Sequence, residues 1–176
     1  MKCLSDQSLS SCHVEVFNRQ REIDFKVDRN AVAQIVLGVL QNESENAYWV
    51  SIHFLSDRAM RQYHHRFFQD SSSTDCMSFP LDEQTNEGLL RHLGDVFVCP
   101  LTALRYAKGS EELFWKELTL YIIHGILHLI GYDDVEPSCR SVMRRRERSA
   151  VSFLKKQGVF LRGQVRPYKG KIQEKI

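Results

Sequence analysis

The sequence predicts an α+β fold: a small mixed β-sheet packed with helices, with a central buried helix. Three observations predict it. Stretches with strand character are intermixed with helical periodicities, but in no regular βαβ series. The strand candidates are short, and proline stops two of them. One long segment, from Glu111 to about Ile130, is apolar nearly all round, as only a helix buried inside the domain can be.

Residues 1–10 read as a polar leader without the basic and apolar regions of a signal peptide. Val14 and Val16, at period two, mark a short strand over Cys12–Phe17. Asp28 can cap a helix that buries Ala31, Val32, Ile35, Val36, Val39 and Leu40. Ala47 to Leu55 is aromatic and β-branched and reads as a strand. Ser56 caps a second helix to about Arg66, and Phe67–Ser73 is expected to be a loop. Thr74–Phe79 and Leu93–Cys99 read as strands stopped by Pro80 and Pro100, with a polar connection over residues 82–92. Leu101–Lys108 is a short helix closed by Gly109. Ser110 caps the long apolar helix, whose first turn carries Glu111 and Glu112 at the positive end of the helix dipole. Gly131 turns the chain, and a last helix with Val142, Met143, Val151, Phe153 and Leu154 runs to Gly158. The chain thus divides into one domain, 1–158, and a basic tail, 159–176.

Apolar residues make up 43% of the 176 and charged residues 26%, as in an ordinary globular protein. No apolar run approaches the roughly 20 residues needed to span a bilayer, so no membrane partner is expected. The five cysteines are scattered and form no CxxC pair, which argues for a reducing cytoplasm rather than a disulfide scaffold. The net charge of +2 hides an asymmetry: Arg140–Ile176 holds twelve Lys and Arg against two Glu. A basic C-terminal region on an acidic body implies a polyanionic partner such as RNA, or else a solvated basic helix and tail.

The chemistry concentrates in His124-Gly125-Ile126-Leu127-His128-Leu129-Ile130-Gly131-Tyr132-Asp133-Asp134. Helical spacing of i, i+4 puts His124 and His128 on one face, and the Gly131 turn brings back Asp134 as a third ligand. Two imidazoles and a carboxylate, with a fourth position left to water, form a catalytic zinc arrangement. The alternative for Asp134 or Asp133 is to cap the following helix. Metalloproteases of similar spacing place a glutamate general base after the first histidine, where this chain has Gly125. Glu117, seven residues before His124, faces the same way, either behind the site or as a surface charge. The remaining histidines (His13, His53, His64, His65, His92) lack ligand spacing and read as structural or surface residues. Arg144, Arg145, Arg146 and Arg148 read as a solvated helix face able to track phosphates.

HGILHLIGYDD resembles the signature H-G-x-L-H-L-x-G-Y-D-H of the YbeY family of bacterial metal-dependent endoribonucleases. Thr74–Pro80 (TDCMSFP) resembles the family's T-D-V-L-S-F-P, and Leu93–Val96 (LGDV) its L-G-D-I strand, in the same order. The similarity is strongest from Arg66 to Asp134 and extends more weakly from Cys12 to Gly158. Asp134 stands where the family has histidine, Gln62 and His65 replace an Asn and a Tyr, and about two extra residues separate Arg66 from Thr74.

The resemblance implies an α+β fold and one metal ion, expected as Zn²⁺, on His124, His128 and Asp134. It implies single-strand-directed cleavage of ribosomal RNA precursors, in small-subunit rRNA 3′-end maturation and ribosome quality control. It also implies a cleft-lining arginine, Arg66, with Arg61 second, to stabilise charge on the scissile phosphate. Asp75 and Ser78 are candidates to orient cleft groups or to cap the strand end. Expected partners are rRNA precursors, the ribosome or its small subunit, and assembly factors. The competing classes are a metallopeptidase-like hydrolase and a non-catalytic ribosome-assembly factor with a structural metal.

Overall fold

A computed structural model describes residues 12–45, 48–81 and 91–167. The elements are β1 (His13–Asn18), β2 (Ile23–Phe25), α1 (Arg29–Asn42), β3 (Tyr48–Phe54), α2 (Asp57–Phe68), β4 (Cys76–Pro80), β5 (Arg91–Val98), α3 (Pro100–Ala107), α4 (Glu111–Leu129), α5 (Pro137–Lys156) and β6 (Val165–Pro167). The main sheet has the order β1-β3-β5-β4. Its first three strands are parallel, and β4 runs antiparallel to β5 at the edge. This is the mixed sheet of an α+β fold. Among the described residues, no helix is long and apolar enough to cross a membrane.

Local chemistry sets the helix starts. Asp28, Ser56 and Ser110 each accept the backbone N–H three residues on, as N-cap side chains do. α4 is the central helix: Phe114, Leu118, Ile122, Ile123, Ile126 and Leu127 are fully buried, and it packs on α1, α3, α5, β4 and β5. At about 1.5–3 kcal/mol per buried large side chain, these contacts dominate the stability of this layer. α2 lies over a smaller cluster, with Met60 buried against Leu55, Met77 and Cys99. That packing fixes α2 beside the edge strand β4.

Gly125 sits where α4 crosses β5. A Cβ there would lie 2.3 Å from Val96 Cγ1 and 3.3 Å from Ser78 Oγ. Mid-helix glycine costs about 1 kcal/mol against alanine, and overpacking a tight core costs about 1–3 kcal/mol. Val96 is fully buried and has no room to yield, so the close approach decides. Gly125→Ala is therefore expected to destabilise the protein by about 2 kcal/mol in urea unfolding; an unchanged or raised midpoint would contradict this packing.

Several expectations are corrected. α2 runs to Phe68, two residues further than its periodicity indicates, and stops at Gln69 in a left-handed conformation (φ 56). β4 begins at Cys76 and includes Pro80, tolerated because the strand is an edge. Asp133 and Asp134 do not cap α5; its N-cap is Glu136, without a side-chain bond. The strands β2 and β6, which pair antiparallel, are too short to show a period in the sequence. The division expected at residue 158 is not where packing ends. Leu161 and Val165 are buried, and Trp115 Nε1 donates to the Gly163 carbonyl at 2.7 Å. The polar leader, most of the polar connection and the last nine residues lie outside the described residues.

Candidate metal centre

The C-terminal end of α4 builds the site. Gly131 adopts φ +97, Gly131 N–H donates to the His128 carbonyl, and Tyr132 N–H donates to the Leu127 carbonyl, both at 3.0 Å. This is a Schellman turn, and it needs glycine at the left-handed position. The reversal brings Asp134 back over the two histidines. His124 Nε2 lies 3.9 Å from Asp134 Oδ2, and His128 Nε2 lies 3.7 Å from Asp134 Oδ1. One ligand atom from each of the three residues falls within 4.8 Å of the others.

The hydrogen bonds behind the rings fix their tautomers. His128 Nδ1 is 2.9 Å from the Tyr132 carbonyl, which can only accept, so Nδ1 carries the proton. His124 Nδ1 is 2.7 Å from Glu147 Oε1, which orients it the same way. In the neutral rings, both Nε2 atoms then present lone pairs, yet they face each other at 2.9 Å. Two lone pairs at that distance repel unless a proton on one ring or a metal ion lies between them. Ligands about 2 Å from a tetrahedral zinc ion lie roughly 3.3 Å apart, close to the observed spacings. The donor set fits a divalent metal ion.

Glu147, on α5, is a site residue that sequence reasoning missed, because it stands within the arginine run Arg144–Arg148. Burial opposes the charged form of His124. The Glu147 hydrogen bond and charge, with help from Asp134, outweigh it and lift the imidazole above its ordinary value. His128 is shifted down, by burial and then by the neighbouring His124 charge. A second missed group lies behind the turn. Tyr132 Oη donates to Glu43 Oε2 at 2.8 Å, and Arg146 Nε reaches both Glu43 oxygens at 2.9 and 3.1 Å. This arginine, expected on a solvated face, instead ties α5 to the end of α1 and to the turn beside the histidines.

An open cleft of about 460 Å³ lies over the histidines and Asp134. Its walls include His64 and Phe68 from α2 and the Thr74–Ser78 segment of β4 and the loop before it. His64, which lacks ligand spacing, was expected to be a structural or surface residue. Arg66 is not among the lining residues: it is exposed, its guanidinium 5.8 Å from the Phe67 ring centroid. Helical spacing explains the difference, since His64 and Phe68 are i, i+4 and Arg66 points between them to another face. Arg61 is committed elsewhere, donating to Asp57 at 2.9 Å and to the Ser71 carbonyl at 3.2 Å. Asp75 accepts from Cys76 N–H at 2.8 Å, a strand-end cap, and Ser78 Oγ donates to the Gly125 carbonyl at 2.9 Å, tying β4 to α4. Glu117 is half-buried but does not line the cleft, and burial raises its carboxyl pKa. Cys76 lines the cleft, but burial and then Asp75 push its thiol well up, so it offers no thiolate.

Glu147→Gln should keep the ring orientation, because the amide oxygen still accepts from Nδ1, but it removes the charge that lifts His124. Metal affinity at neutral pH should fall roughly tenfold. In the wild type, affinity falls as pH drops through the raised His124 pKa; in Glu147→Gln that fall moves to lower pH. In metal-free protein, the raised pKa contributes stability present below the ordinary histidine value and lost as pH rises through the folded one. Calorimetric metal titration between pH 5.5 and 8 checks this; superimposable profiles would remove Glu147 from the site.

The family model described as Endoribonuclease YbeY matches residues 15–155. The protein named endoribonuclease YbeY from Protochlamydia amoebophila is 35% identical over 149 residues, covering 85% of this chain and 97% of that one. Its namesake from Chlamydia muridarum is 33% identical over 146 residues, covering 82% and 89%. The solution structure of TM1509 from Thermotoga maritima shares the fold, with a TM-score of 0.51 at 19% identity over 82% of this chain and 93% of that one. The extent of these matches, over the segment that forms the sheet and the site, shows that the chain belongs to the YbeY endoribonuclease family.

Proposed function

We propose that the chain is a metal-dependent endoribonuclease directed to single-stranded segments of ribosomal RNA precursors. Its place is small-subunit rRNA 3′-end maturation and ribosome quality control in the cytoplasm, alongside the small subunit and assembly factors. The observation that carries the metal dependence is the convergence of one ligand atom each from His124, His128 and Asp134 within 4.8 Å, with the two Nε2 atoms 2.9 Å apart. His124, His128 and Asp134 would hold the ion. A divalent ion there supplies Lewis-acid chemistry, lowering the pKa of water and neutralising phosphate charge. Zinc suits the two imidazoles, and the carboxylate also suits harder ions such as Mn²⁺.

The chain's own residues do the rest. Glu147 and the Tyr132 carbonyl hold the imidazole protons on Nδ1. The basic C-terminal region supplies salt-sensitive affinity for the RNA backbone. Arg66, exposed in the last turn of α2, is assigned to stabilise charge on the scissile phosphate, as the resemblance implies. Arg66→Ala should slow cleavage roughly 100-fold with metal content intact, and Arg66→Lys should recover only part of it, lacking the planar fork. A wild-type rate in Arg66→Ala would remove it from the reaction.

Peptide hydrolysis fits the cleft less well. The position of a protease's glutamate is Gly125, where even a Cβ meets Val96. Incubating the purified protein with structured RNA and with casein, each with and without chelator, separates the classes. Chelator-sensitive cleavage of RNA alone is expected; casein hydrolysis would overturn the proposal. A purely structural metal would leave rRNA processing intact in folded ligand variants.

A further inference from the structure

The wall of the cleft contributed by α2 holds an aromatic side chain that the fold does not use. Phe68 is 57% exposed, and it lines the cleft together with His124, His128 and Asp134. Its neighbour Phe67 is 52% exposed, but its ring packs on Phe79 at 4.8 Å and stacks on Tyr63 at 6.4 Å. Among the described residues, the one aromatic partner of Phe68 is the His64 ring, at 5.3 Å and tilted by 48°. Pro80 supplies a second apolar surface to the same cleft. A lone exposed phenylalanine on an outer face would carry no message; this one shares a cavity with the metal ligands.

We propose that Phe68, with His64 beside it, forms a base-stacking subsite that receives one unstacked nucleobase of single-stranded RNA next to the metal centre. The inference rests on the endoribonuclease proposal and names what its cleft recognises. Every base has a π-face, so the subsite selects no particular sequence. It selects strand state: a paired base is held between its neighbours in the A-form stack and cannot lie on Phe68 without leaving it. An aliphatic or polar residue at 68 would give no such discrimination.

The test uses the full-length protein and a single-stranded oligoribonucleotide carrying one abasic residue, walked position by position. Binding is measured on chelated protein and cleavage on metal-loaded protein. Phe68→Ala should weaken binding of the intact strand roughly tenfold, within the range for loss of one stacked base. Phe68→Tyr should bind like wild type. At one position the abasic substitution should cost the wild type a similar factor and cost Phe68→Ala nothing further. Tyr106→Ala, which removes an equally exposed aromatic side chain on α3, outside the cleft lining and the basic C-terminal region, should change nothing. Independent penalties at every position, or intact-strand binding unchanged in Phe68→Ala while wild type cleaves RNA, would overturn the stacking site alone. A wild-type protein that neither binds nor cuts RNA would overturn the endoribonuclease proposal, and the subsite with it.

Discussion

His128→Ala is expected to abolish RNA cleavage and strip the protein of its metal while leaving it folded. The imidazole is half-buried, with its side chain 27% exposed, and its hydrogen bond to the backbone is to the Tyr132 carbonyl. Losing that bond costs about 1 kcal/mol, against a total stability on the order of 5–15 kcal/mol. The metal loses one of its two imidazole ligands, so affinity should fall by on the order of 100-fold or more, beyond the effect of removing an outer hydrogen bond. Asp134→Ala should lose less, because that side chain is 40% exposed and water can take its place. Metal content by mass spectrometry, circular dichroism and a cleavage assay check all three points together. A folded His128→Ala protein with full metal occupancy would sink the ligand assignment.

Arg146→Ala should lose about 3 kcal/mol of stability. Its partner Glu43 has a side chain only 3% exposed, while Arg146 itself is 33% exposed. Removing the guanidinium leaves a buried carboxylate with Tyr132 Oη and Asn42 Nδ2 as its side-chain donors. The partial exposure of Arg146 keeps the loss near the low end of the range for a broken buried pair. Arg146→Lys should recover only part, since an ammonium does not span both carboxylate oxygens. Arg145→Ala, next door but exposed, should cost under about 0.5 kcal/mol. Urea unfolding of the three variants decides the matter, and equal losses at 145 and 146 would show that the Glu43 pair contributes nothing. A loosened Tyr132 would also free the carbonyl that orients His128, so metal affinity should drop in Arg146→Ala alone.

What the sequence made legible was local. The caps at Asp28, Ser56 and Ser110 act within three residues, and the spacing of His124 and His128 follows from helix geometry alone. Asp134 was within reach because Gly131 announces the turn that returns it. What stayed hidden was carried by pairs far apart in sequence. Glu147 meets His124 from another helix, and Glu43 meets Arg146 across a separation of 103 residues. Arg146 read as part of a solvated face and the two glutamates gave no signal, because periodicity does not say which polar residue finds a distant partner. β2 and β6 are three residues each and pair from opposite ends of the domain. Arg66 was assigned by its place beside a motif. From α2, His64 and Phe68 line the cleft and Arg66 does not.

RNA cleavage is proposed to need a divalent ion held by His124, His128 and Asp134. The most direct measurement is the cleavage rate of purified wild-type protein on single-stranded RNA, after chelation and then after stoichiometric metal is restored, with His124→Ala alongside. Chelation should stop cleavage, Zn²⁺ or Mn²⁺ should restore it in the wild type, and neither should restore it in His124→Ala. Undiminished cleavage by thoroughly chelated protein, or by His124→Ala, would contradict this dependence.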